Sequence, residues 1–194
     1  LNGDPLQLAS AALCSGPPLP SNTSCYEYFN ADAVVVSAVQ PQGGPHHGGT
    51  SVLLQGAGFS NYGGLGCQFG GLAAVPAVLV STSLAACASP ANGPLPSTGR
   101  QPVRITLNGV DALGGAAPPR FTFYDASRVG TAILLPDRGG SDGGTLVTAV
   151  GNGFANFGGL GCTFGDLPEL VAATLIDATR VACRSPQFTL NGTG

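Results

Sequence analysis

Lysine, methionine and tryptophan are absent from this sequence, and charge of either sign is scarce. Its 194 residues hold seven basic side chains, all Arg, against ten acidic ones, for a net charge of -3. Each absence excludes something. A nucleic-acid binder needs a basic face to neutralise phosphates, and seven dispersed arginines do not supply one. No apolar run approaches the roughly 18 residues of a membrane span. The N-terminal segment has no basic-then-apolar leader pattern. Disorder is excluded from the other side, because 43% of the residues are hydrophobic and the net charge is small. What is abundant is turn chemistry: 31 Gly and 16 Pro make up about a quarter of the chain. The length permits one large domain or two of about 100 residues.

Catalytic and metal-binding patterns are also missing. There is no Gly-x-Ser-x-Gly elbow, no Asp-x-Asp-x-Asp-Gly calcium loop and no Cys-x-x-Cys pair. His46 and His47 are adjacent in a Gly/Pro loop, where neighbouring side chains diverge, and the second copy of the motif described below has Ser141-Asp142 there. They read as a solvated turn. No catalytic residue, metal site or cofactor is expected, and the chain reads as non-enzymatic. Carbohydrate binding would call for exposed Trp or Tyr. Trp is absent, and Tyr62 falls inside the repeated motif, where packing is the simpler role.

Six cysteines are present: Cys14, Cys25, Cys67, Cys87, Cys162 and Cys183. They allow fifteen pairings. Gaps of 11, 20 and 21 between successive members favour one bridge repeated in two copies plus a third. A bridge of that span stabilises by roughly 3 kcal/mol in the chain-entropy view. The alternative is six buried thiols in a cytosolic protein. Two triplets, Asn22-Thr23-Ser24 and Asn191-Gly192-Thr193, fit the N-glycosylation pattern and point with the bridges to an oxidising, extracellular setting.

The chain contains a duplication. Residues 48–70 and 143–165 match at a constant offset of 95 with 15 of 23 positions identical, including Gly58, Phe59, Cys67 and Phe69. Cys87-Ala88-Ser89-Pro90 then answers Cys183-Arg184-Ser185-Pro186. Leu-Asn-Gly recurs at 1–3, 107–109 and 190–192, where a penultimate strand would end, and Cys25–Phe29 stands in the role of Arg120–Tyr124. This phase implies three parts. Residues 1–32 are terminal strands of an upstream repeat, 33–126 a complete repeat, and 127–194 a second repeat lacking its last strand. Two explanations fit: an excerpt from a longer tandem array, or head-to-tail strand addition in which residues 25–29 complete the next chain's repeat.

Short β-branched and aromatic segments alternate with Gly/Pro/Asn clusters, the pattern of an all-β sandwich. Strands are expected at Val34–Val39, Thr50–Gln55, Gly66–Phe69, Ala77–Ser81, Leu84–Ala88, Val103–Leu107 and Phe121–Tyr124. Val103, Ile105 and Leu107 share the buried face, while Arg104 and Thr106 face away. No segment carries a 3.6-residue apolar period, so helices should be short or absent. Gly56-Ala57-Gly58-Phe59 and Gly151-Asn152-Gly153-Phe154 resemble a dinucleotide loop but lack the helix on which a phosphate would sit. They read as glycine turns with Phe59 and Phe154 plugging the sandwich.

A Gly-Gly-Thr opening, an apolar strand, Gly-x-Gly-Phe, Cys-x-Phe-Gly and a later Cys-x-Ser-Pro, complete at Gly48–Pro90 and Gly143–Pro186, together resemble IPT/TIG domains. These are immunoglobulin-like early-set sandwiches found in tandem in large cell-surface proteins of the fibrocystin-like and plexin type. The resemblance implies bridges Cys67–Cys87 and Cys162–Cys183, with Cys14 and Cys25 pinning a hairpin of the upstream unit. It also implies an extracellular structural or adhesive segment, forming a rigid spacer or filament by repeat packing. Its partners would be neighbouring repeats or copies of itself, with N-linked glycans on Asn22 and Asn191 and O-linked ones in the Pro-rich stretches. A ligand-binding segment of a receptor ectodomain is the alternative. Arg to the exclusion of Lys, with much Ala, Gly and Pro, fits a GC-rich genome such as a green alga's. Flagellar-surface filaments (mastigonemes) and adhesion proteins are the settings that composition suggests. Neither nucleic acid nor direct membrane insertion is expected.

Overall fold

The computed structural model describes residues 12–13, 25–26, 28–92 and 99–189. Residues 1–33 and 34–194 form separate compact units. In the first, β1 (Ala12–Leu13) pairs in parallel with β2 (Cys25–Tyr26), and a single 3-10 turn follows at Ala31–Ala33. The expected pairing of Cys14 with Cys25 and the sequons at Asn22 and Asn191 lie outside the described residues.

In residues 34–194 the first repeat contributes β3 (Val35–Gln40), β4 (Gly43–Pro45), β5 (Ser51–Ala57), β6 (Gly66–Phe69), β7 (Val75–Ser81), β8 (Leu84–Ala88), β9 (Arg100–Thr106) and β10 (Arg120–Tyr124). Their ladder order is β3-β5-β8-β7-β6-β9-β10-β4. Strand β7 makes this a sandwich rather than one broad sheet. Its first residues pair with β6 through Val75 and Pro76, and its later ones pair with β8 from Ala77 onward. The ladder doubles over at that handover, so β3-β5-β8-β7 faces β6-β9-β10-β4. Cys67 on β6 is bonded to Cys87 on β8, with Cα atoms 6.4 Å apart, tying one sheet to the other.

Period-2 alternation decides what enters the space between the sheets. Val52 and Leu54 of β5, Val103 and Ile105 of β9, and Phe121 of β10 are all fully buried. Phe69, Phe121 and Phe123 meet edge to face with centroids 5.0–6.0 Å apart, the arrangement favoured by ring quadrupoles. Phe59 is buried, and its ring lies where a Cβ on Gly56 would stand. That close approach, with the positive φ of Gly58 (73°), is why the Gly-x-Gly-Phe turn needs its glycines.

The second repeat contributes β11 (Gly130–Leu135), β12 (Leu146–Asn152), β13 (Gly161–Cys162), β14 (Val171–Asp177) and β15 (Arg180–Arg184), in the order β11-β12-β15-β14-β13. This reproduces β3-β5-β8-β7-β6 strand for strand. Cys162 on β13 is bonded to Cys183 on β15. Cis peptide bonds precede Pro41 and Pro136, also 95 residues apart.

Several features differ from the sequence reading. β4 is an extra strand: Gly43-Gly44-Pro45 has no apolar signal, yet it pairs in parallel with β10 because bare glycines fit where side chains could not. A Cβ on Gly43 would stand 2.8 Å from the Thr122 carbonyl oxygen. Thr106, expected to face away, is buried at 3% exposure. It pairs with Gly66, whose missing side chain lets the Thr106 methyl settle against β6. In the second repeat the Phe188 N–H donates to the Ser141 carbonyl, as the Asn92 N–H donates to that of His46. Phe188 therefore occupies the place of Asn92, ahead of where β9 begins, and no described strand follows β15. Phe154, Cys162 and Phe164 are half-buried, whereas Phe59, Cys67 and Phe69 are buried.

Phe69→Ala is expected to lower stability by about 3–5 kcal/mol, the range for truncating a buried ring. Phe164→Ala, at the half-buried counterpart, should lower it by clearly less. Urea denaturation followed by near-ultraviolet circular dichroism checks both.

Candidate interaction site at the junction of the two repeats

The two repeats meet where the end of β10 and the start of β4 face the loop between β12 and β13. Phe157, in that loop, lays its ring flat on Tyr124, with centroids 5.4 Å apart and planes within 9°. The Phe157 carbonyl accepts the Gln42 N–H at 2.6 Å. A Cβ on Gly43 would come within 2.6 Å of the Phe157 ring, so the second repeat is seated against bare backbone of the first. Beside this contact is a cavity of about 420 Å³ lined by Tyr124, Val129, Phe154, Phe157 and Leu160 among others.

The connecting segment is ordered by local chemistry. Asp125 caps the 3-10 turn Ala126–Arg128, its Oδ1 accepting from the Ser127 N–H at 3.0 Å and the Ser127 hydroxyl at 2.6 Å. Arg128 Nε lies 3.3 Å from the same carboxylate, and the Asn152 side-chain amide donates to the Arg128 carbonyl. The Ser127 hydroxyl is the main influence holding the Asp125 carboxyl below its ordinary 3.8. Partial desolvation opposes it, and the Ser127 N–H and the charges of Arg128 and His46 add to it. In the first unit Asn30 Oδ1 likewise accepts the Asp32 N–H, at 3.1 Å, before the turn at Ala31–Ala33. Asn30 and Asp125 are 95 residues apart, so the capped turn belongs to the repeat. The sequence signal was there, an Asx residue at the same phase of both copies.

The histidines lie in the same region. The His46 backbone N–H donates to the Tyr124 carbonyl at 2.8 Å, and His46 Nδ1 lies 3.3 Å from that oxygen. The His46 and His47 rings are tilted, with centroids 5.9 Å apart. Among the described residues no three His, Cys, Asp or Glu side chains come together. No described helix is long and apolar enough to cross a membrane. Tyr62, the counterpart of Phe157, is 40% exposed, and its N–H donates to the Leu107 carbonyl.

Two facing sheets of short, mostly antiparallel strands, a disulfide between them and a β7-type strand shared by both define an immunoglobulin-like β-sandwich in the first repeat, and the second repeat reproduces five of its strands and its disulfide. The family model for the IPT/TIG domain matches residues 34–123 and 131–194, and the chain belongs to that family. Among solved structures it is similar to the plexin A4 full extracellular region, domains 1 to 10, at 16% identity and a TM-score of 0.56. The alignment covers 87% of this chain and 13% of that one. A second structure of that region, domains 1 to 8, aligns at 18% identity and a TM-score of 0.45, over 87% of this chain and 17% of that one. No curated protein matches significantly.

Asp125 has a depressed folded pKa, so its contribution is fully present above the unfolded value and is lost as pH falls through the folded one. Asp125→Ala should therefore melt below the wild type at pH 7, with the gap closing below about pH 4. Asp125→Asn, which keeps the cap as Asn30 does, should lie between them. Melting followed by circular dichroism across that range checks the order.

Proposed function

We propose that this chain is a structural or adhesive segment of an extracellular, disulfide-bonded IPT-repeat glycoprotein, non-enzymatic, and that it works as a rigid spacer. The observation that carries this reading is the junction: Phe157 stacked on Tyr124, its carbonyl tied to the Gln42 N–H, and a capped linker turn. A flexible tether would need none of these. Aromatic stacking against bare backbone fixes tilt, and a short capped turn limits twist. Each repeat would then hold a set angle to its neighbour, and repetition would convert local geometry into reach.

The extracellular setting draws support from two disulfides, which persist in oxidising compartments. The shared fold with a plexin extracellular region is compatible with a cell-surface segment of receptor or adhesion type. Residues 1–32 are read as the terminal strands of an upstream repeat, 33–126 as a whole repeat and 127–194 as a further one. Partners in this reading are neighbouring repeats of the same array. Asn22 and Asn191 are the proposed glycan carriers, Cys14 and Cys25 the third bridge, and a flagellar or other cell surface the setting.

The double variant Tyr124→Ala/Phe157→Ala is expected to leave both sandwiches folded while loosening their angle. Small-angle scattering should show a narrow distance distribution for the wild type and a broader one for the variant. Identical curves would sink the rigid-spacer reading. Non-reducing peptide mapping of protein from its native source should show Cys14 joined to Cys25 and added mass on Asn22 and Asn191.

A further inference from the structure

No Asp, Glu, Lys or Arg occurs anywhere between Asp32 and Arg100. That stretch builds the whole of β3-β5-β8-β7 in the first repeat, so the outward face of this sheet carries no charge. Its composition follows from the register. Gln40, Leu53, Ala86 and Val78 form one cross-strand row on the outer side. Ala38, Gln55 and Leu84 form the next. Val78 is 68% exposed and Leu53 40%, standing above small alanine neighbours.

The second repeat has the same backbone and a different surface. Where the first has Leu84, Ala88 and Ser81, the second has Arg180, Arg184 and Asp177. Arg180 and Arg184 sit on the outer side of β15, opposite Val150 and Leu146, and Arg180 is paired with Asp177 at 2.7 Å. The fold therefore tolerates charge at these positions, and the neutrality of the first repeat is not a requirement of the sandwich.

We infer that the outer face of β3-β5-β8-β7 in the first repeat is a docking surface for a second copy of this chain, face to face about a two-fold axis. The choice of occupant follows from charge. A charged partner would lose hydration on this face and find no counter-charge in return. An identical face is neutral, so two copies meet without like-charge repulsion, and interface cores are depleted in charge in the same way. A two-fold contact needs only self-complementarity. Uncharged rows in which Leu53 and Val78 stand beside Gln40 and Ala86 provide it for sheets packing about 10 Å apart. The same contact through the second repeat would bring Arg180 and Arg184 of each copy toward those of the other.

Sedimentation velocity over a concentration series tests this on the 194-residue chain. The wild type should rise from 19.1 kDa toward twice that mass. Val78→Asp and Leu53→Arg, both at exposed positions, should stay monomeric with unchanged circular dichroism and melting. Thr174→Asp, at the counterpart of Val78 in the second repeat, should associate like the wild type. A wild type that is monomeric throughout overturns the inference. So does association that survives both first-repeat variants, or that is lost equally in Thr174→Asp.

Discussion

The inward row of β6, Cys67 and Phe69, is where the two sheets are held together. Cys67 is bonded to Cys87 of the opposite sheet, and Phe69 meets Phe121 and Phe123 of its own sheet edge to face. Neither sheet can keep one apolar face in water, so each requires the other. The alternation of β5, β8 and β9 has meaning only against that shared interior. The glycine turns follow from it as well, since Gly56 must yield room for the ring of Phe59. The second repeat supplies the comparison. Its bridge and five strands are the same, but the counterparts of β9 and β10 are not among its described residues, and Phe164 is half-buried where Phe69 is enclosed.

Between repeats the physics is different. There the contact is small, and its definition comes from geometry rather than from buried volume. It consists of the flat stacking of Phe157 on Tyr124, a backbone bond from Gln42 and the bare backbone of Gly43 against the Phe157 ring. The linker carries an Asx cap on a single turn. Because the capped turn recurs at Asn30 and Asp125, the linker is as much a part of the repeat as the strands are.

Duplicated backbones also show which residues the sandwich requires. Positions facing inward stay apolar: Val52 and Val147, Cys67 and Cys162, Phe69 and Phe164 keep their type, while the cross-strand pair Leu54 and Ala85 becomes Ala149 and Val181. Positions facing out do not: Leu84 against Arg180, Ala88 against Arg184. The core keeps apolar residues and exchanges volume between neighbours, while the outer face admits charge. Differences between the two outer faces are therefore not dictated by how each repeat folds.

Much of this architecture was legible in the linear order of residues. The offset of 95, the paired Cys contexts and the two-residue alternation of Val103, Ile105 and Leu107 are local or periodic features, and they specify strands, turns and duplication directly. The strand at Gly43–Pro45 was not legible, because nothing in Gly-Gly-Pro favours a strand until β10 lies beside it. The burial of Thr106 depends on a glycine forty residues away in sequence. Phe157 and Tyr62 occupy one phase of one motif, and nothing in the motif shows that the ring at 157 lies on Tyr124. Local pattern determined which residues must turn inward, because the pleat has a period of two. Tertiary structure alone decided which surfaces meet, because contact between distant segments depends on distances that no local pattern contains.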